Sequence, residues 1–268
     1  MDEETGRVRS SSNQEEKEKQ GSTDKRVRLT LIGIISVLAL ALIVSIVWIA
    51  SGKTDSEEPT LQNSLPQQYQ NGEPIAISSQ GIGVTNPDAE DLYFYFDYTC
   101  SGCVSLDDKV GPLLTDASQT GDFNLLLQPV VTSGGPFNVA ATTGAVMVAA
   151  EEPELFIPFQ EALINFYLNT LSNPYSASAS DSDIALETVS SLASQVGISD
   201  EVIAKFNLDL GQKYLDMSTQ NWISQDIKKR DSFATPEFVY KGTKINFSGD
   251  DAMQVFESIT KEMSILDN

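Results

Sequence analysis

Hydrophobic and polar positions divide this chain into stretches of distinct character. The longest apolar run, Leu29 to Gly52, holds 24 residues without a charge and is rich in Leu, Ile, Val and Ala. About 20 such residues cross a hydrocarbon layer of about 30 Å, and a secretory leader uses only about 7–15. The run therefore predicts a single N-terminal transmembrane helix, with a cleaved leader ending near Ala50-Ser51-Gly52 as the alternative. It contains no cysteine to receive a lipid. Polar stretches flank it. Residues 1–28 have little to bury and predict a disordered tail, and residues 53–73, rich in Ser, Gln, Asn, Pro and acid, predict a linker. The folded part is expected over 74–268.

Within that part, Leu92-Tyr93-Phe94-Tyr95-Phe96 is short, aromatic and wholly apolar, the pattern of a strand buried on both faces. A helical stretch follows through Leu106 and Val110, with a kink or interruption expected at Gly111-Pro112. Phe123–Val131 supplies a second strand, completing a βαβ unit with a right-handed crossover. Residues 138–229 read as mostly helical, with helices over Val139–Ala150, Glu154–Leu171, Ile184–Val196, about Ser199–Phe206 with Ser199 as N-cap, and about Gln212–Lys228. Asn173-Pro174 and the serines up to Ser180 mark a loop. Strand signals return at Glu237–Tyr240 and Thr243–Phe247, joined by Lys241-Gly242, a two-residue hairpin loop. A last helix, capped by Asp250, carries Ala252, Val255, Phe256, Ile259 and Met263 on one face. The order β-α-β, helical block, β-β-α is an α/β thioredoxin fold with a helical insertion.

Charge sets orientation and narrows the chemistry. Residues 1–28 carry seven acids and seven bases, whereas the remainder carries 31 acids and 10 bases. Lys17, Lys19, Lys25, Arg26 and Arg28 precede the apolar run and only Lys53 lies just after it. The positive-inside rule then puts the N-terminus in the cytoplasm and the acidic domain outside the cell membrane. A net charge of −21 argues against a nucleic-acid partner, which needs clustered Lys and Arg. The chain has no histidine, which excludes Ser-His-Asp and Cys-His catalysis and His-ligated metals.

The two cysteines form one pair, Cys100-Ser101-Gly102-Cys103, at a strand-to-helix junction. Unpaired amides and the helix dipole at such a junction stabilise a thiolate, so Cys100 is the candidate nucleophile, with Cys103 one turn on as resolving thiol. An idle disulfide or a weak two-thiolate metal site is the plainer alternative. Ala234-Thr235-Pro236 opens a strand, where proline's missing donor is tolerated. Lys228-Lys229-Arg230 precedes it and reads either as a positive edge near Cys100 or as a solvated helix C-terminus.

Asp97-Tyr98-Thr99-Cys100-Ser101-Gly102-Cys103 followed by Thr235-Pro236 resembles the DsbA-type thioredoxin-fold family, above all the membrane-anchored members of Gram-positive bacteria. The resemblance covers most of residues 74–262. It implies that Pro236 is cis and lies against the CxxC, that Thr235 offers its backbone to a substrate cysteine segment, and that Cys100 is the exposed and Cys103 the buried cysteine. It further implies dithiol–disulfide exchange on cysteine-containing exported proteins without a bound cofactor or metal. Oxidation ranks ahead of reduction or isomerisation, and a membrane redox partner of the DsbB or vitamin K epoxide reductase type is expected. Two departures stand out. Many relatives carry a buried acid six residues before the first cysteine, where this chain has Phe94, which implies that water or Asp97 moves protons or that exchange is slow. Ser101-Gly102 replaces the Pro-His of strongly oxidising members, which implies a less oxidising couple.

Two readings from other classes compete. A non-catalytic thioredoxin-fold binding or accessory module on the cell surface predicts that Cys100→Ser leaves function intact. A thiolate carrier for Cu(I) or Zn(II) is weakened by the lack of histidine and of a nearby methionine.

Overall fold

A computed structural model of the chain describes residues 64–171 and 181–267. The expected tail, transmembrane run and serine-rich loop through Ser180 lie outside them. Among the described residues no helix is long and apolar enough to cross a membrane.

Six strands form one sheet: β1 (Ile75–Ser78), β2 (Gly81–Ile82), β3 (Asp91–Phe96), β4 (Asn124–Pro129), β5 (Glu237–Tyr240) and β6 (Thr243–Ile245), in the order β2-β1-β4-β3-β5-β6. The aromatic run is the inner strand β3, parallel to β4 (Phe94 opposite Leu127) and antiparallel to β5 (Phe94 opposite Phe238). Its two faces differ. Leu92, Phe94 and Phe96 enter the main core, with the Phe94 and Phe238 rings 4.5 Å apart. Tyr93 and Tyr95 face a smaller cluster with Val130, Trp222, Ile227 and Val239, and Tyr93 is only partly buried. The expected hairpin turn is present, with Lys241 and Gly242 at φ 49° and 69°.

Helix α1 (Ser101–Thr120) follows β3 and completes the βαβ unit with β4. It continues through Pro112, so the interruption, the stronger form of the expectation, does not occur. Pro112 and Asp108 are exposed, so the Asp108 carbonyl that loses its helical donor lies on the solvent side, while Val110 and Leu114 are fully buried. The insertion comprises α2 (Pro136–Glu151), α3 (Phe156–Leu171), α4 (Ser182–Val196), the single turn α5 (Asp200–Ile203) and α6 (Leu208–Ser224). Nearly every α2 residue from Phe137 to Ala149 is buried, because α3, α4 and α6 all pack on it. A Cβ on Gly211 would overlap the Val139 carbonyl oxygen, so only glycine lets α6 approach this closely. Ser199 caps α5 as expected, but α6 begins earlier, capped by Asn207, and stops at Ser224 rather than Lys228. Past that point Ile227 turns into the second-face cluster and Lys228 pairs with β6, a tertiary preference that ends the helix. In α7 (Ala252–Asp267) the cap is Asp251, not Asp250: its carboxylate accepts from the Gln254 amide at 2.9 Å.

The stretch expected as linker is packed from Leu65 onward. Leu65 and Tyr69 are 2% and 1% exposed. Gly72, at φ 74°, brings the chain against α6, where a Cβ would meet the Ser218 amide at 2.5 Å. The carbonyls of Asn71 and Glu73 accept from Asn221 and the Tyr214 hydroxyl at 2.8 and 2.6 Å. Two apolar anchors in a polar stretch leave no periodicity to read, which explains the difference.

Candidate active site

Three chain segments meet at one end of the sheet: the turn from β3 into α1, the loop from β4 into α2, and the loop entering β5. Cys100 is the N-cap of α1, and its carbonyl accepts from the amides of Cys103 and Val104 at 3.0 and 3.1 Å. It is partly exposed, while Cys103 is fully buried, and both are unpaired thiols. The Cys100 thiol is lowered to about 6. The largest cause is the hydrogen bond it receives from the Cys103 thiol; burial opposes it, and the Cys103 amide, the Thr235 side chain and the Gly102 amide reinforce it. Burial, and the bond it donates to Cys100, push the Cys103 thiol far upward. At neutral pH the exposed sulfur is thus an anion and the buried one holds its proton, the division of labour needed for attack and resolution.

The Thr235–Pro236 peptide is cis. The Cys100 sulfur lies 3.5 Å from the Thr235 carbonyl oxygen, and a Cβ on Gly102 would stand 3.5 Å from Cδ of Pro236. All four expected site residues therefore converge.

Asp97, fully buried, organises the surroundings. Its carboxylate accepts from four backbone amides: Thr99 at 2.7 Å, Thr132 and Ser133 at 2.9 Å, and Gly134 at 3.1 Å. The Thr99 hydroxyl adds a bond at 2.6 Å and the Thr132 hydroxyl a longer one at 3.4 Å. The Thr132 hydroxyl also lies 2.6 Å from that of Thr235, tying the β4–α2 loop to the loop that carries Pro236. From the insertion, the Tyr167 hydroxyl donates to the Thr99 carbonyl at 3.2 Å. Burial, with the charges of Asp97 and Cys100, holds that phenol above its usual range. Neither Thr132 nor Tyr167 stands out in the sequence; Thr132-Ser133-Gly134-Gly135 marks a turn but not the acid it wraps.

Of the basic cluster, Lys228 and Lys229 are exposed, as the solvated reading expects, but they lie beyond the helix end at Ser224, and Arg230 has a different role. The Arg230 side chain is nearly buried, with Nη2 and Nε at 2.6 and 3.1 Å from the carboxylate of Glu237, the residue after Pro236. Trp222 donates to the same carboxylate at 2.7 Å. Phe94, the first of the two departures read from the sequence, is a core residue. Among the described residues no group of three or more Cys, Asp or Glu side chains is placed to hold a metal ion.

No protein-family model and no curated protein matches the sequence. Solved structures do match. MdbA, a thiol-disulfide oxidoreductase from Actinomyces oris, superposes with a TM-score of 0.56 at 20% identity, over 75% of this chain and 94% of that one. Oxidised BdbD from Bacillus subtilis gives 0.51 at 20% identity, over 75% and 97%. MdbA from Corynebacterium diphtheriae gives 0.50 at 17% identity, over 70% and 93%. The fold is that of the DsbA-type thioredoxin proteins, a thioredoxin sheet with a helical insertion.

Proposed function

We propose that this chain is a membrane-anchored, extracytoplasmic thiol-disulfide oxidoreductase that exchanges disulfides with cysteine-containing exported proteins, oxidation being its favoured direction. The observation that carries the reading is the half-buried Cys100 sulfur at the N-terminal end of α1, 3.5 Å from the carbonyl oxygen of the cis Thr235–Pro236 peptide, with its thiol lowered to about 6 and the buried Cys103 thiol pushed far upward. Its solved relatives of the same fold include proteins described as thiol-disulfide oxidoreductases.

In the oxidising direction a client thiolate attacks Cys100 of the Cys100–Cys103 disulfide, and Cys103 leaves. A second client thiolate then attacks the client sulfur of the mixed disulfide, expelling Cys100 as thiolate. A thiol lowered to about 6 is a good leaving group and stabilises the reduced pair, which favours giving the disulfide away. The reduced pair would be recharged by a membrane partner of the DsbB or vitamin K epoxide reductase type. The uncharged run at residues 29–52 and the bases ahead of it support the anchored, N-terminus-inside arrangement.

Equilibration of the protein with glutathione, with Cys100→Ser as control, tests this. A reduction potential near or above about −180 mV supports an oxidase or isomerase. A value near about −270 mV makes it a reductase. Absence of reversible Cys100–Cys103 exchange overturns the enzyme reading and leaves a binding module.

A further inference from the structure

The loop that brings Thr235 to Cys100 starts with residues 231–234, and all four are exposed. Phe233, 57% exposed, is the most open large apolar side chain among the described residues. Two residues of chain span at most about 7 Å, so Phe233 stands beside Thr235, whose carbonyl oxygen lies 3.5 Å from the Cys100 sulfur. Its neighbours hold it still. The Arg230 guanidinium carbon is 5.0 Å from the ring centroid, and the Trp222 ring meets it edge-on at 5.7 Å. Both neighbours are locked in turn, because Arg230 and Trp222 bond the same Glu237 carboxylate.

Single apolar side chains on a surface are ordinary, and a mobile one binds little because ordering it costs entropy. Phe233 differs on that count: one side of its ring rests on a fixed cation and indole, and the remainder is in water. Rigid, pre-positioned aromatics are among the side chains that dominate protein contacts. What comes to this one follows from the sulfur. A client joined to Cys100 passes beside the Thr235 loop, and each residue of an extended chain reaches about 3.3–3.6 Å. A client side chain about two residues from the cysteine is therefore in reach of the ring. Glu237 already matches the charge of Arg230, so what the ring offers that side chain is apolar surface.

We propose that Phe233 selects clients by receiving an apolar or aromatic side chain about two residues from the attacked cysteine. The proposal rests on the oxidoreductase reading and names the substrate class of that same site. Apolar side chains are buried once a protein folds, so the contact favours cysteines in segments that have not yet folded. It acts in either redox direction, because both pass through the same Cys100–client disulfide.

Two single-cysteine peptides test this, one with phenylalanine and one with alanine two residues to each side of the cysteine. Each is presented as its disulfide-linked dimer to the reduced full-length protein in detergent micelles. The Cys100 thiolate attacks the dimer and one peptide leaves as thiolate; Cys103 then expels the second peptide and gives its proton to water. The peptide disulfide is reduced and the enzyme pair oxidised. Wild type is expected to react with the phenylalanine peptide about fivefold faster than with the alanine peptide, on the order of what an aromatic pair contributes. Phe233→Ser is expected to bring that ratio near one, and Phe233→Leu, which keeps an apolar side chain, to retain most of it. A ring that only covers Arg230 would slow both peptides alike, and an unchanged ratio in Phe233→Ser overturns the proposal. So does the absence of a preference in wild type, or a leucine variant that loses it. A wild type that exchanges with neither peptide nor with oxidised glutathione overturns the oxidoreductase reading itself, a result distinct from a wild type that exchanges without preference.

Discussion

At the active-site end of the sheet two buried acids are surrounded by donors, while the acids that edge the groove between α1 and α3, Asp107 half-buried and Asp108, Asp116 and Glu161 exposed, are not. Asp97 takes four amides and two hydroxyls, and Glu237 takes two nitrogens of Arg230 and the Trp222 indole. The groove, a cavity of about 270 Å³ floored by Ile77, Leu125, Leu127 and Ile164, is edged by Asp107, Asp108, Asp116 and Glu161, and no basic residue lines it. There Asp107 receives a single side-chain amide, from Gln160 at 3.2 Å. The same side-chain chemistry is thus stabilising at one place and a burden at the other. The matched acids are those that fix the loops around Cys100; the unmatched ones lie off the reaction path.

The largest test of this contrast breaks the Glu237 pair. With side-chain exposures of 6% and 1%, neither partner can turn to water. Arg230→Ala leaves the Glu237 carboxylate buried beside Trp222 and is expected to lower stability by about 3–5 kcal/mol, read from the urea midpoint. A loss under about 1 kcal/mol would make the pair no different from an exposed one. Asp97→Asn comes next, at about 2–3 kcal/mol. The amide keeps one acceptor but turns an NH2 group toward backbone amides that also donate, so several bonds fail together. If urea melts show Asp97→Asn as stable as wild type, the carboxylate is not what holds the three loops.

What can be read from sequence follows the range over which each feature is written. The Cys100–Cys103 pair, Thr235-Pro236, the Lys241-Gly242 hairpin and the Ser199 cap are set by residues a few positions apart, and the structure has each in place. The wrapping of Asp97 by residues 132–134, the Tyr167 bond to Thr99 and the Arg230–Glu237 pair are written between distant elements or across a loop, where no periodicity signals them. Pro112 misleads because helix breaking depends on whether the freed carbonyl is buried, and here it faces solvent. The short strands β1 and β2 escape notice for a related reason: at four and two residues they carry too little alternation to separate from loop.

The smallest effect has the opposite sign and sharpens the comparison most. Burial in the groove pushes the Asp107 carboxyl up to about 6, the Gln160 bond opposing it and the charges of Asp108 and Glu161 adding to it. Raised above its unfolded value of 3.8, the group holds more protons folded than unfolded between the two values. Its contribution to stability is therefore lost as pH rises from about 4 to about 6, the reverse of a salt-bridged acid. Each pKa unit is worth about 1.4 kcal/mol, and because the residue is partly open to solvent the full shift overstates the effect. Asp107→Asn keeps an acceptor for Gln160 and removes the charge. It is expected to raise stability at pH 7 by about 1–2 kcal/mol and to lose that advantage below about pH 4, as measured by urea midpoints across the range. If Asp107→Asn proves less stable than wild type at pH 7, the groove acid is matched after all, by a donor as effective as those around Asp97.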